Sequence, residues 1–163
     1  MSLPAATQYR LLPLQQGMVL HLLAQPGSGI DIQQCIARVR EPLDMPRFTR
    51  AWQSVMDRHD GLRTSFHLNG LDCVQSLSSS ALVQTTLLDW RDCSEPERAS
   101  RFERFLEEDR ARGLDLTHCP TWRVTVFDCA DDGFRFVFTH PLVEIIRAYQ
   151  LSQSKVCFYR RAR

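Results

Sequence analysis

Apolar positions recur at three- and four-residue spacing over residues 14–24 (LQQGMVLHLLA). Leu14, Met18 and Leu22, with Val19 and Leu23 beside them, share one stripe. That period predicts an amphipathic helix with Pro13 accommodated in its first turn. The glycine-containing segment 26–29 ends it. Residues 32–40 alternate instead, with Cys35, Ala37 and Val39 on one face and mostly Gln34, Arg38 and Arg40 on the other, as in a half-buried strand. Asp44 stands where a helix N-cap is expected, Pro46 lies in the first turn, and Phe48, Trp52, Val55, Met56 and His59 mark the buried face.

Two apolar runs, 62–68 and 73–77, flank Asn69, Gly70, Leu71 and Asp72 and predict a β-hairpin. A serine run at 78–80 reads as a loop, and residues 83–88 as a strand. Ser94, Pro96 and Glu97 form a capping-box pattern opening a helix that buries Ala99, Phe102, Phe105 and Leu106. Gly113 suits the left-handed position that ends it. Residues 122–128 and 134–139 alternate as strands, joined by a turn at 130–133. Helices and hairpins interleaved in this order predict an α/β (α+β) sandwich, with a mostly antiparallel or mixed sheet and flanking helices.

The 163 residues suffice for one domain with a sizeable core. Twenty basic against nineteen acidic residues leave a net charge of +1, so no basic footprint for nucleic acid is present. The apolar runs fall well short of the roughly 20 residues that span a bilayer, and no secretory signal precedes the first helix. A cytoplasmic protein without nucleic-acid or membrane partners is the expectation. The six cysteines are scattered singly, with neither CxxC nor zinc-ligand spacing, so neither disulfides nor a metal site are expected. Charge is uneven along the chain. Before residue 141 it carries fifteen arginines and eighteen acidic residues; from Pro141 onward it carries four arginines, Lys155 and the single acid Glu144.

Two separated stretches carry a family resemblance. Residues 9–18 (YRLLPLQQGM) and 58–66 (RHDGLRTSF) resemble the first and second motifs of the condensation domains of non-ribosomal peptide synthetases, the second commonly written RHxxLRTxF. The REPLD segment at 40–44, LDWR at 88–91 and GLDL at 113–116 also fall where such domains carry similar residues. The resemblance runs from about Tyr9 to His140. It implies the N-terminal lobe of a chloramphenicol acetyltransferase-like fold, over residues 1–140. The activity it implies is amide bond formation between aminoacyl or peptidyl thioesters. No cofactor is bound directly on this reading, since substrates ride on the phosphopantetheine of partner carrier-protein domains.

The resemblance breaks at the third family motif, HHxxxDG. Its second histidine is expected to assist the attacking amine, and its aspartate to pair with the arginine corresponding to Arg63. Here the chain reads FTHPLVEIIR over 138–147. Aligned on the strand, His140 precedes the motif, Pro141 and Leu142 replace the histidines, and Ile146 and Arg147 replace Asp-Gly. A two-residue slip instead makes His140 the second histidine and Glu144 the aspartate. His140 is therefore the candidate catalytic residue, as a base or as a motif remnant. Arg58, His59 and Arg63 are structural motif residues, with Arg63 solvated or paired to another acid. His21 reads as a surface residue.

Residues 141–163 form an atypical basic tail that does not resemble the family, consistent with a frame change or early stop. Two readings remain open. One is the front part of a condensation domain, inactive alone and completed by a C-terminal lobe. The other is a non-catalytic remnant, or a module that binds a carrier protein or a second lobe.

Overall fold

A computed structural model describes residues 7–25, 28–69 and 72–143. In chain order the elements are β1 (Thr7–Arg10), α1 (Pro13–Ala24), β2 (Ile32–Val39), α2 (Met45–Arg58), β3 (Thr64–Asn69), β4 (Asp72–Leu77), β5 (Thr85–Asp89), α3 (Glu95–Arg112), β6 (Arg123–Asp128) and β7 (Phe134–Pro141). Short 3-10 turns at Asp60–Arg63 and Ala130–Asp132 lead into β3 and β7. The expected α/β architecture is present as two sheets. A three-stranded antiparallel sheet has the order β1-β4-β3, and a four-stranded mixed sheet has the order β2-β7-β6-β5. Among the described strands only β5 and β6 run parallel, connected through α3. That crossover is a β–α–β unit and makes the sheet mixed, within the expected mostly antiparallel or mixed arrangement.

The four-stranded sheet is covered on both faces. Val124 and Val126 of β6 and Phe134, Phe136 and Phe138 of β7 point toward α2, meeting Phe48, Trp52 and Met56. Phe127 and Val137 point the other way, toward Phe102, Phe105 and Leu106 of α3. Burial on both sides explains why β6 is buried at four successive positions, Val124 through Phe127. The smaller sheet packs on α1 through Leu11, Val19, Phe66 and Cys73, joined by Leu116 and Val143.

Local signals account for the helix ends. Asp44 Oδ1 accepts from the Arg47 amide at 2.9 Å, and Glu97 Oε2 accepts from both the Ser94 amide and its hydroxyl. Leu12 precedes α1 with no hydroxyl to offer. The first turn instead uses Gln15, whose Oε1 accepts from the Leu12 amide at 3.1 Å while the side chain is buried. Gly113 (φ +71°) donates its amide to the Arg110 carbonyl as α3 ends.

Several expected faces are redrawn. Leu14 is 62% exposed, and the buried line on α1 runs instead through Gln15 and Val19, continuing Leu11 just before the helix. Val55 and Ala99 are exposed, and His59 caps α2 rather than lying on its face. Cys35 is exposed because β2 is an edge strand beyond the reach of α2. The sequence boundary at 140 falls inside β7: Pro141 is its last residue, and Val143 is fully buried in the α1 cluster. The Leu142 amide donates to the Asp31 carbonyl at 2.7 Å. Residues 144–163, which hold Glu144, Ile146, Arg147 and most of the expected basic tail, lie outside the described residues, as do Gly70 and Leu71 of the hairpin turn. Among the described residues no helix is long and apolar enough to cross a membrane, and no cluster of three metal-ligating side chains occurs.

Candidate functional site

The chemistry-bearing residues converge at the C-terminal end of β7. That strand is central, paired antiparallel with β2 from Ile32↔Pro141 to Val39↔Phe134 and with β6 from Arg123↔Thr139 to Asp128↔Phe134. The unbroken ladder sends Thr139 toward α3 and His140 toward the α2 side, as the two-residue period requires.

On the α3 side, Thr139 meets Asp109, whose carboxylate is completely buried. Asp109 Oδ2 accepts from the Thr139 hydroxyl at 2.7 Å and from Gln34 Nε2 at 2.9 Å, while Oδ1 accepts from Arg123 Nε at 2.7 Å. Arg123 also donates to the Asp109 and Gly113 carbonyls, and Gln34 to the Leu106 carbonyl. Burial alone would raise the Asp109 pKa. The hydrogen bonds from Arg123, Thr139 and Gln34, with the guanidinium charge, outweigh it and hold the carboxyl below its ordinary range. One carboxylate thus ties α3 to β2, β6 and β7 one residue before His140. The sequence motifs assign nothing to Asp109; an acid following the apolar stripe of α3 on the same face is the signal that points to it.

On the other side, His140 is 3% exposed and stacks on Phe138, with ring centroids 4.8 Å apart. Phe138 in turn stacks on Trp52 at 5.0 Å. His140 Nδ1 lies 3.2 Å from the Pro141 carbonyl, and Nε2 lies 3.9 Å from Cys35 Sγ. Burial lowers its pKa, partly opposed by the Pro141 carbonyl, so the ring is neutral near pH 7. A neutral imidazole with one nitrogen held by a carbonyl keeps the other available as a proton acceptor.

The second motif builds a separate hub. Arg63, with a side chain only 15% exposed, pairs with Asp60 at 2.6 Å and donates to the Met56 carbonyl at 3.2 Å and the Ser78 carbonyl at 2.9 Å. Those bonds close α2, the 3-10 turn and the end of β4 around one guanidinium, so Arg63 is paired with an acid of its own turn rather than solvated. Trp122 Nε1 donates to the Leu62 carbonyl at 2.9 Å, and the Phe66 amide to the Leu116 carbonyl at 2.7 Å. The motif is thereby stitched to the segment before β6. Arg58 is exposed at the end of α2. His21 is not a plain surface residue: its Nδ1 lies 2.5 Å from Asp31 Oδ2, and Asp31 is buried where β2 begins beside Pro141.

Two sheets with flanking helices make an α/β fold, and comparison with known proteins places it in a family. The family model described as condensation domain matches residues 5–140, and the chain belongs to that family. A linear gramicidin synthase of Brevibacillus parabrevis is 39% identical over 139 residues, which is 83% of this chain and 3% of that protein. A surfactin synthase of Bacillus subtilis is 27% identical over 133 residues, covering 81% of this chain and 10% of that protein. Among solved structures, the starter condensation domain of rhizomide synthetase superposes with a TM-score of 0.74 at 19% identity, over 91% of this chain and 37% of that one. The chain therefore spans a small part of the length of the relatives it matches.

Proposed function

We propose that this chain is the N-terminal part of a condensation domain. It supplies one wall of a site for amide bond formation between aminoacyl or peptidyl thioesters carried on the phosphopantetheine arms of carrier-protein domains, and it does not turn over alone. The observation that carries the reading is the family match over residues 5–140, which contains the Arg63 hub and ends at His140. Holding two reactants in line is the main source of rate in such a reaction, and it needs both walls of the site. A C-terminal lobe is accordingly the expected structural partner, and carrier domains are the expected delivery partners. Arg58, His59 and Arg63 then serve to shape the wall, and His140 stands at the reaction end of β7. The residues following His140 (PLVEIIR) depart from HHxxxDG, which favours as second reading a non-catalytic remnant that still docks a carrier domain or a second lobe.

Titrating the chain with a carrier domain in its unloaded and acyl-phosphopantetheine forms tests the proposal. Binding tightened by the acyl arm is expected. Binding indifferent to the arm favours the docking remnant, and no binding of either form overturns both readings.

A further inference from the structure

We propose that Cys35 and His140 form a thiol–imidazole pair that makes Cys35 an acceptor for acyl groups arriving as thioesters. The inference rests on the reading above for its source of acyl groups, but its geometry stands independently. Cys35 lies on edge strand β2, on the uncovered part of the face that α2 occupies further along the sheet, and its thiol is exposed. Its Sγ is 3.9 Å from His140 Nε2, at the long end for a thiol–nitrogen hydrogen bond. Pro141 can only accept at its carbonyl, so the contact at 3.2 Å places the ring hydrogen on Nδ1 and leaves the Nε2 lone pair toward the sulfur. Phe138 stacks on the ring and fixes its plane. Nucleophile, base and orienting group are thus in sequence, as an activated thiol requires.

In the step proposed, the Cys35 thiol proton passes to His140 Nε2 as sulfur attacks the thioester carbonyl carbon. A carbon–sulfur bond to Cys35 forms, the bond to the departing thiolate breaks, and that thiolate takes the proton back from Nε2. One thioester replaces another, so no oxidant or further reactant is needed. Three other described thiols differ in kind. Burial pushes the Cys73 and Cys129 thiols up, away from reactivity. Cys93 has a guanidinium nitrogen of Arg101, not an imidazole, at 3.0 Å from its sulfur. It serves as an internal reference that a change at His140 leaves untouched.

The test uses a short acyl thioester of N-acetylcysteamine, which needs no carrier domain, so its outcome is separable from the titration above. Acylation at each cysteine is followed by peptide mapping, on the folded chain and on the chain in denaturing urea. Cys35 is expected to be acylated faster in the folded chain than in the unfolded one, although folding ordinarily shields a thiol. His140→Gln is expected to slow Cys35 at least tenfold, a threshold set below the roughly 10²–10⁴-fold effect of a positioned base, with Cys93 unchanged. Cys35→Ser should abolish that label. Equal rates at Cys35 in the folded and unfolded chain would overturn the proposal even if His140→Gln fails to fold. So would an unchanged rate in a folded His140→Gln variant.

Discussion

Replacing Asp109 with alanine removes the carboxylate on which three side-chain donors converge, and the structure sets the scale of the loss. Hydrogen bonds to a charged acceptor contribute about 1.5–3 kcal/mol each, but they do not add when they share one acceptor. Arg123, with a side chain 23% exposed, can regain some water, whereas the Thr139 hydroxyl and the space left by the carboxylate cannot. Breaking a buried pair by deleting one partner costs about 3–5 kcal/mol, and the partial rehydration of Arg123 places Asp109→Ala near the lower end. Against a domain stability of about 5–15 kcal/mol this is a large fraction. Asp109→Asn keeps the shape and one acceptor oxygen, so a loss of about 1–2 kcal/mol is expected.

The assay is urea unfolding followed by the fluorescence of Trp52, Trp90 and Trp122, with the midpoint shifting and the slope preserved. Acid should mimic the mutation. The folded pKa of Asp109 lies below its unfolded value, so the contribution is present above the unfolded pKa of about 3.9 and is lost as pH falls through the folded one. A loss under about 1 kcal/mol in Asp109→Ala would refute the claim that this carboxylate clamps α3 to the end of β7.

Three further outcomes follow from the same geometry. The folded pKa of His140 is lowered, so its protonation favours the unfolded chain. Stability should fall as pH drops below about 6.5 toward the folded pKa, and this part of the pH slope should vanish in His140→Gln, measured by urea midpoints across roughly pH 5–8. Gly133→Ala should cost about 2–4 kcal/mol by the same assay, because φ is +75° and a Cβ would run into the Val39 carbonyl oxygen; an unchanged midpoint would show that the turn relaxes freely. Incubated alone with aminoacyl carrier domains, the chain should form no peptide above an enzyme-free control. Product that disappears in His140→Ala would instead support the slipped alignment, with His140 in the role of the second motif histidine.

The elements were legible because their signals are local. The Asp44 and Ser94 caps, the strand runs of β6 and β7, and Gly113 at the end of α3 each act within a few residues, and all stand where the sequence puts them. What escaped depends on partners distant in the chain. β1 is a strand only because β4 pairs with it, from Thr7↔Leu77 to Arg10↔Val74. The exposure of Cys35 follows from the edge position of β2, which alternation along one strand cannot reveal. Asp109 looks like one more acid on a charged helix until Gln34, Arg123 and Thr139 arrive from three strands. The site divides in the same way. The motif around Arg63 was readable as a family pattern, while its pairing with Asp60 and the approach of Cys35 to His140 needed the packed chain.

A chimera tests most directly whether these residues form the front wall of a condensation domain. Residues 1–140 of this chain would be joined to the remaining part of the matching condensation domain of the Brevibacillus parabrevis linear gramicidin synthase, beginning at its own third motif. Peptide formation would be measured from aminoacyl carrier domains that the relative accepts. The chimera should form peptide, and should lose that activity when the grafted second motif histidine is replaced by alanine. A folded, monodisperse chimera that forms no peptide, under conditions where the intact relative does, would contradict the assignment.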